Sequence, residues 1–218
     1  MRRLARVQAL SGLAFAFFLT LHLATTGAAT GGPEAYDAVL TALRRVYRPT
    51  LAVELVLIGA PALVHVACAI AQITTRRRRG VRADSPLVHR LAGYVLLAAI
   101  GGHVFATRVM PATGSGPADF SYLAYSLLNW PGFMRPYYLV LGIAGAVHLV
   151  IGGGIAVRVL LGARPAARLI HAVVGLVALL VGAGVVGVIA RAPDASRTRF
   201  SEFRALYERF IPFLPPRF

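Results

Sequence analysis

Five apolar runs, roughly Val7 to Ala29, Leu51 to Ile73, Leu87 to Val109, Tyr137 to Leu160 and Leu169 to Ala190, leave the chain little choice of fold. Each is long enough to cross a hydrocarbon layer about 30 Å thick, which takes about 20 residues of helix. Inside such a layer every backbone N–H and C=O must be paired within its own segment, so each run is expected to be a transmembrane helix. The expected fold class is an all-α integral membrane protein. Residues 1–190 form the five-helix unit and 191–218 an external amphipathic tail. A 57% share of hydrophobic residues and a mean hydropathy of +0.69 exclude an ordinary soluble domain.

The net charge of +15 is carried by 23 arginines and no lysine. Such a balance often marks a nucleic-acid binder, but the arginine positions follow the membrane instead. Arg2, Arg3 and Arg6, then Arg76 to Arg79 with Arg82 and Arg90, then Arg158, Arg164 and Arg168 fall on one side of a five-span chain. These are twelve, against five on the other side: Arg44, Arg45, Arg48, Arg108 and Arg135. The positive-inside rule puts the N-terminus in the cytoplasm and the C-terminus outside. Membrane lipid is an expected partner and nucleic acid is not. The arginine-rich loop from Thr74 to Pro86 serves either as this topology signal or as a dock for a cytoplasmic partner. The lack of lysine reads as compositional bias.

The connections say less. Residues Thr30 to Thr50 read as a solvated connector, although Tyr36, Val39, Leu40, Leu43, Val46 and Tyr47 are spaced for a short amphipathic helix. Pro111 to Pro136 reads as an external loop whose Trp130, with Tyr137 and Tyr138, suits an interfacial belt. In the tail, Phe200, Phe203, Leu206, Tyr207 and Phe210 suit either an amphipathic helix on the outer leaflet or a mobile end. The single cysteine, Cys68, excludes an internal disulfide and reads as a packed thiol. The N-terminal run resembles a signal peptide, but a histidine near its end argues for a retained span.

Four spans each carry one histidine deep in apolar sequence: His22, His65, His103 and His148. At about 1.5 Å per residue, His22 and His103 lie about 22 to 24 Å from the inner edge, and His65 and His148 about 12 to 18 Å. The chain also repeats itself. Gly12 precedes His22 by ten residues, Gly93 precedes His103 by the same ten, and ALVHVACAI in the second span matches GAVHLVIGG in the fourth. The offsets are 81 and 83 residues, which implies a parallel duplication about an axis along the membrane normal. Depth and repeat both pair His22 with His103 and His65 with His148. A single such histidine would be explained by an interhelical hydrogen bond. Two matched pairs suit the axial positions of two haem irons, with Gly12, Gly93 and the run Gly152 to Gly154 leaving room for flat macrocycles. The fifth span has only His171 at its start and is expected to pack against the others.

With these residues in hand, the chain resembles the cytochrome b membrane subunit of succinate:quinone oxidoreductases and fumarate reductases, in the five-helix, single-subunit, dihaem form. The resemblance is carried by SGLAFAFFLTLHL in the first span, AVELVLIGAPALVH in the second, HRLAG with HVFATR ten residues on in the third, and HLVIG in the fourth. It implies a subunit of the bacterial cytoplasmic membrane that anchors an iron-sulfur subunit and a flavoprotein subunit and passes electrons to membrane quinone. It implies two haem b cofactors, a proximal one on His65 and His148 and a distal one on His22 and His103, and no dehydrogenase active site on this chain. Arg90 and Arg108, at the membrane edges, are candidate partners for haem propionates, with interface snorkelling as the alternative. Glu54, the one acidic residue within a span, is a candidate proton relay to quinone. Some family members carry a glutamate two residues before the fourth-span ligand, where this chain has Ala146. A cytochrome b of a hydrogenase or formate dehydrogenase, or an anchor without haem, remain the alternatives.

Overall fold

A computed structural model of the chain describes residues 2–80, 85–114, 116–163, 165–213 and 216. Of the 23 arginines, Arg82, Arg164 and Arg217 lie outside the described residues. The five apolar runs all form long helices: α1 (Arg2–Ala28, prolonged by a 3-10 turn, Ala29–Gly31), α3 (Leu51–Arg78), α4 (Leu87–Ala112), α6 (Pro131–Leu161) and α7 (Ala167–Arg191). Three shorter helices lie between and after them: α2 (Pro33–Tyr47), α5 (Phe120–Asn129) and α8 (Phe200–Phe210). The protein is an all-α, multi-pass membrane protein, with five helices among the described residues long and apolar enough to span the membrane.

Local sequence sets the helix ends. Thr50 caps α3 by accepting from the Val53 N–H at 3.3 Å, and Asp119 caps α5 by accepting from the Tyr122 N–H at 2.9 Å. Gly162, at φ 70°, takes the left-handed position that stops α6. Two of the long helices are interrupted in the half near α2 and α5. A π turn covers Leu55–Gly59 in α3, and another covers Phe105–Val109 in α4. Such turns recur at functional sites.

Close packing joins α1 to α3, α6 and α7, and α6 to α4 and α7. Among the described residues α3 and α4 have little direct backbone contact. Small residues set the tightest approaches. A Cβ on Gly184 of α7 would lie 2.7 Å from Thr26 Oγ1 and 2.9 Å from the Thr26 carbonyl carbon of α1, so only glycine permits this crossing. The spans keep their apolar side chains outward: Leu63 and Leu179 are 72% and 69% exposed. The total accessible surface, 12368 Å², exceeds the value of about 9,700 Å² for a compact soluble protein of this mass. That apolar excess needs lipid.

Three sequence readings change. The connector after α1 is a helix, α2, whose Leu40 and Tyr47 are buried. The Pro111 to Pro136 segment contains α5, most of which is buried, and Trp130 packs in an aromatic core instead of in an interfacial belt. The tail helix α8 places Phe203, Leu206 and Tyr207 against Met110, Tyr122, Tyr125 and Trp130. Its apolar face meets protein, because α5 supplies the complementary apolar surface. Helices α2, α5 and α8 thus cap one end of the bundle. Asp37 ties two of them by accepting from the Phe120 N–H at 2.8 Å, and Arg44 donates to the Ala118 carbonyl.

Candidate functional site: two histidine pairs across the bundle

His22 comes from α1 and His103 from α4, and their ring centres are 5.9 Å apart at 67° between planes. His65 comes from α3 and His148 from α6, and theirs are 6.0 Å apart at 89°. These are the two pairs expected from depth and repeat. An imidazole nitrogen lies about 2.0 Å from a bound metal, and a ring centre about 1.1 Å behind it, so rings gripping one metal from both sides stand about 6.2 Å apart. Both pairs match that spacing. Among the described residues no three His, Cys, Asp or Glu side chains converge as a self-sufficient metal-ion site would require.

The inner pair is held by the same arrangement twice. His65 Nδ1 lies 3.1 Å from the carbonyl oxygen of Gln8, and His148 Nδ1 lies 3.2 Å from that of His89. A carbonyl only accepts, so Nδ1 is the donor in each ring, and in a neutral imidazole Nε2 then keeps its lone pair. That is the tautomer a metal ligand needs. Four residues beyond each carbonyl is a glycine against the same ring: a Cβ on Gly12 would lie 2.8 Å from His65 Nδ1, and one on Gly93 3.1 Å from His148 Cε1. Gly12 and Gly93 therefore make room for the histidine rings. Of the Gly152 to Gly154 run, Gly152 faces His89 and Gly154 faces Ile170.

The outer pair is arranged differently. Phe18 stacks on His22 at 5.5 Å and 17°, and Tyr138 meets His103 edge-on at 6.5 Å. Thr25 Oγ1 and Thr107 Oγ1 donate to the carbonyls of His22 and His103, at 2.6 and 2.7 Å. His103 Nδ1 is buried with no hydrogen-bond partner among the described residues. The outer histidines are ten residues beyond Gly12 and Gly93, which places the two pairs about 15 Å apart along the helices.

Toward the capped end, Glu54 and Arg108 come together. Arg108 donates from Nε to both carboxylate oxygens, at 2.9 and 3.0 Å, and from Nη2 to Oε2 at 2.9 Å. Arg48 adds a contact from its Nε at 3.4 Å. Glu54 precedes the α3 π turn and Arg108 lies within the α4 one. Side chains thus bridge the two helices whose backbones stand apart. The group is partly buried, with 16% of the Glu54 side chain exposed, 20% of Arg48 and 35% of Arg108, so it exceeds an ordinary surface ion pair. Burial draws Arg48 below the usual guanidinium value, and Glu54 opposes that shift. Arg90 is half-buried in the first turn of α4, beside His89 and at the opposite end.

Sequence reasoning missed Gln8, Arg48 and His89. Gln8 acts through its carbonyl, which every residue has, so residue type carried no signal. His89 and Arg48 were visible only as a histidine and an arginine near span ends. The chain matches no protein-family model, no curated protein and no solved structure.

Proposed function

We propose that this chain is the membrane-anchor, dihaem cytochrome b subunit of a succinate:quinone oxidoreductase, carrying electrons between an iron-sulfur subunit and membrane quinone. The observation that carries this reading is the pair of cross-bundle histidine pairs, each at the ring spacing of two axial ligands, with the inner two held by backbone carbonyls in the ligating tautomer. His65 and His148 would hold the proximal haem b, and His22 and His103 the distal one. The glycines that admit the inner rings fit such a site. A bound haem supplies a reversible one-electron couple within the membrane.

The remaining work belongs to the chain. The Gln8 and His89 carbonyls hold the inner imidazoles by Nδ1, which leaves Nε2 as the nitrogen that would bind the iron. The separation of about 15 Å between the pairs makes them two steps of one path instead of a single site. Toward the capped end Arg48 and Arg108 position Glu54, the proposed proton relay to quinone, and their guanidinium groups could also pair with haem propionates. Arg90 offers the same charge at the inner level. The other end collects Arg2, Arg3, Arg6 and Arg76 to Arg79, which suits docking of the iron-sulfur and flavoprotein subunits on the cytoplasmic side of a bacterial inner membrane.

The test is a reduced-minus-oxidised spectrum and haem-to-protein ratio of the purified chain, with identification of co-purifying subunits. Two b-type haems per chain are expected, together with iron-sulfur and flavin partners. His65→Ala and His148→Ala should remove one spectral component, and His22→Ala and His103→Ala the other. Absence of a b-type band, or loss of the same component in His22→Ala and His65→Ala, refutes the reading.

A further inference from the structure

His89 is the half-buried histidine outside the two pairs. Its ring lies face to face with His148, with centres 4.1 Å apart and planes 12° from parallel. Its carbonyl accepts the His148 Nδ1 proton, so one residue holds the inner imidazole by both backbone and side chain. Gly152 of α6 leaves the space for this ring, since a Cβ there would lie 3.3 Å from His89 Cε1. The stack also excludes a role as a third ligand. Imidazole lone pairs lie in the ring plane, and those of two parallel stacked rings cannot converge on one metal. The corresponding position in the first half is Gln8, which supplies a carbonyl to His65 but no aromatic ring.

We infer that His89 is a positioning residue for His148, whose stacked ring fixes the orientation of that imidazole and shields it at the arginine-rich end of the bundle. The inference rests on the proposed ligation by His65 and His148 and adds an asymmetry to it: one inner ligand is held by a carbonyl alone, the other by a carbonyl and a ring. An α-helical residue of any type keeps the carbonyl, so substitution isolates the ring. With the ring removed, His148 gains rotational freedom and water reaches it more easily, and a wetter site favours the more charged, oxidised metal.

The test compares wild type, His89→Ala and His89→Phe as purified full-length chain, by redox titration of the two spectral components and by the low-spin ferric EPR signals. In His89→Ala the inner component should titrate at lower potential and its EPR signal should shift or broaden, with the outer component unchanged. His89→Phe, which restores a flat ring, should recover most of the wild-type signature. Unchanged inner signals in His89→Ala, a change confined to the outer component, or no recovery in His89→Phe would each overturn the inference. Should His89→Ala fail to assemble, His89→Phe still decides, because a stacking role requires wild-type-like inner signals from it. A wild-type chain without b-type haem instead removes the underlying proposal, and that outcome shows before any variant is made.

Discussion

Replacing Gly12 by alanine would put a Cβ 2.8 Å from Nδ1 and 2.9 Å from Cε1 of His65. Ordinary contact begins near 3.5 Å, so the ring must retreat by about 0.7 Å. Its hydrogen bond to Gln8 is on the same helix as the intruding methyl, so the retreat stretches the 3.1 Å contact to about 3.8 Å and breaks it. Losing that bond costs about 1 kcal/mol and the overpacking about 1–3 kcal/mol. A total of about 2–4 kcal/mol weakens occupancy of the inner site by about 30- to 700-fold. Gly93→Ala is milder. Its Cβ would be 3.1 Å from Cε1 and 3.3 Å from Nδ1 of His148, so Cε1 must retreat by about 0.4 Å and Nδ1 by about 0.2 Å, which keeps the 3.2 Å bond to His89 at a cost of about 1 kcal/mol. The assay is haem content and thermal unfolding of both variants in detergent. Gly12→Ala should lose the inner component and melt earlier, with Gly93→Ala between it and wild type. Full inner occupancy in Gly12→Ala, loss of the outer component, or a worse outcome for Gly93→Ala would refute the reasoning.

A double-mutant cycle on Glu54 and Arg108 by thermal unfolding should give a coupling of about 1–2 kcal/mol, since the pair is bidentate and partly buried; a coupling near zero would show that the ion pair contributes nothing. Glu54→Gln should keep both haems yet lose most quinone turnover, and unchanged turnover discards the relay. Gly184→Ala should destabilise the bundle by about 1–3 kcal/mol, because its Cβ would meet the backbone of α1, while haem spectra of the surviving fraction stay wild-type. Phe203→Ala should cost about 3–5 kcal/mol in the cap, read as a lowered melting temperature, since Phe203 is fully buried against Tyr122 and Tyr125. Burial raises the Asp37 pKa above the usual carboxylate range. The folded state then holds its proton more tightly than the unfolded chain, so Asp37 contributes stability below the unfolded pKa that is lost as pH rises through the folded one. Asp37→Asn should flatten that part of the unfolding-versus-pH curve, and an unaltered curve would remove Asp37 as its source.

The five spans were legible because a hydrocarbon layer imposes one rule on every residue inside it, and that rule is written in composition and length. The histidine pairing was legible for a similar reason, since helix rise converts sequence position into depth. The capped end was not. Whether Trp130 or Phe203 faces lipid or protein depends on what lies opposite, and the partner of α8 is α5, some 80 residues earlier. Glu54 and Arg108 were each noticed separately, but their pairing across α3 and α4 depends on two π turns and on lateral packing that periodicity does not encode.

The inner pair shows the same division most directly. Local sequence sets the helices, the depths of His65 and His148, and the glycines ten residues before His22 and His103. Only the tertiary structure decides what those glycines admit: the rings of the inner histidines, whose Nδ1 atoms reach the carbonyls of Gln8 and His89. A carbonyl has no residue type, and a stacked ring is defined by its neighbour, so both contacts exist only once the helices have packed.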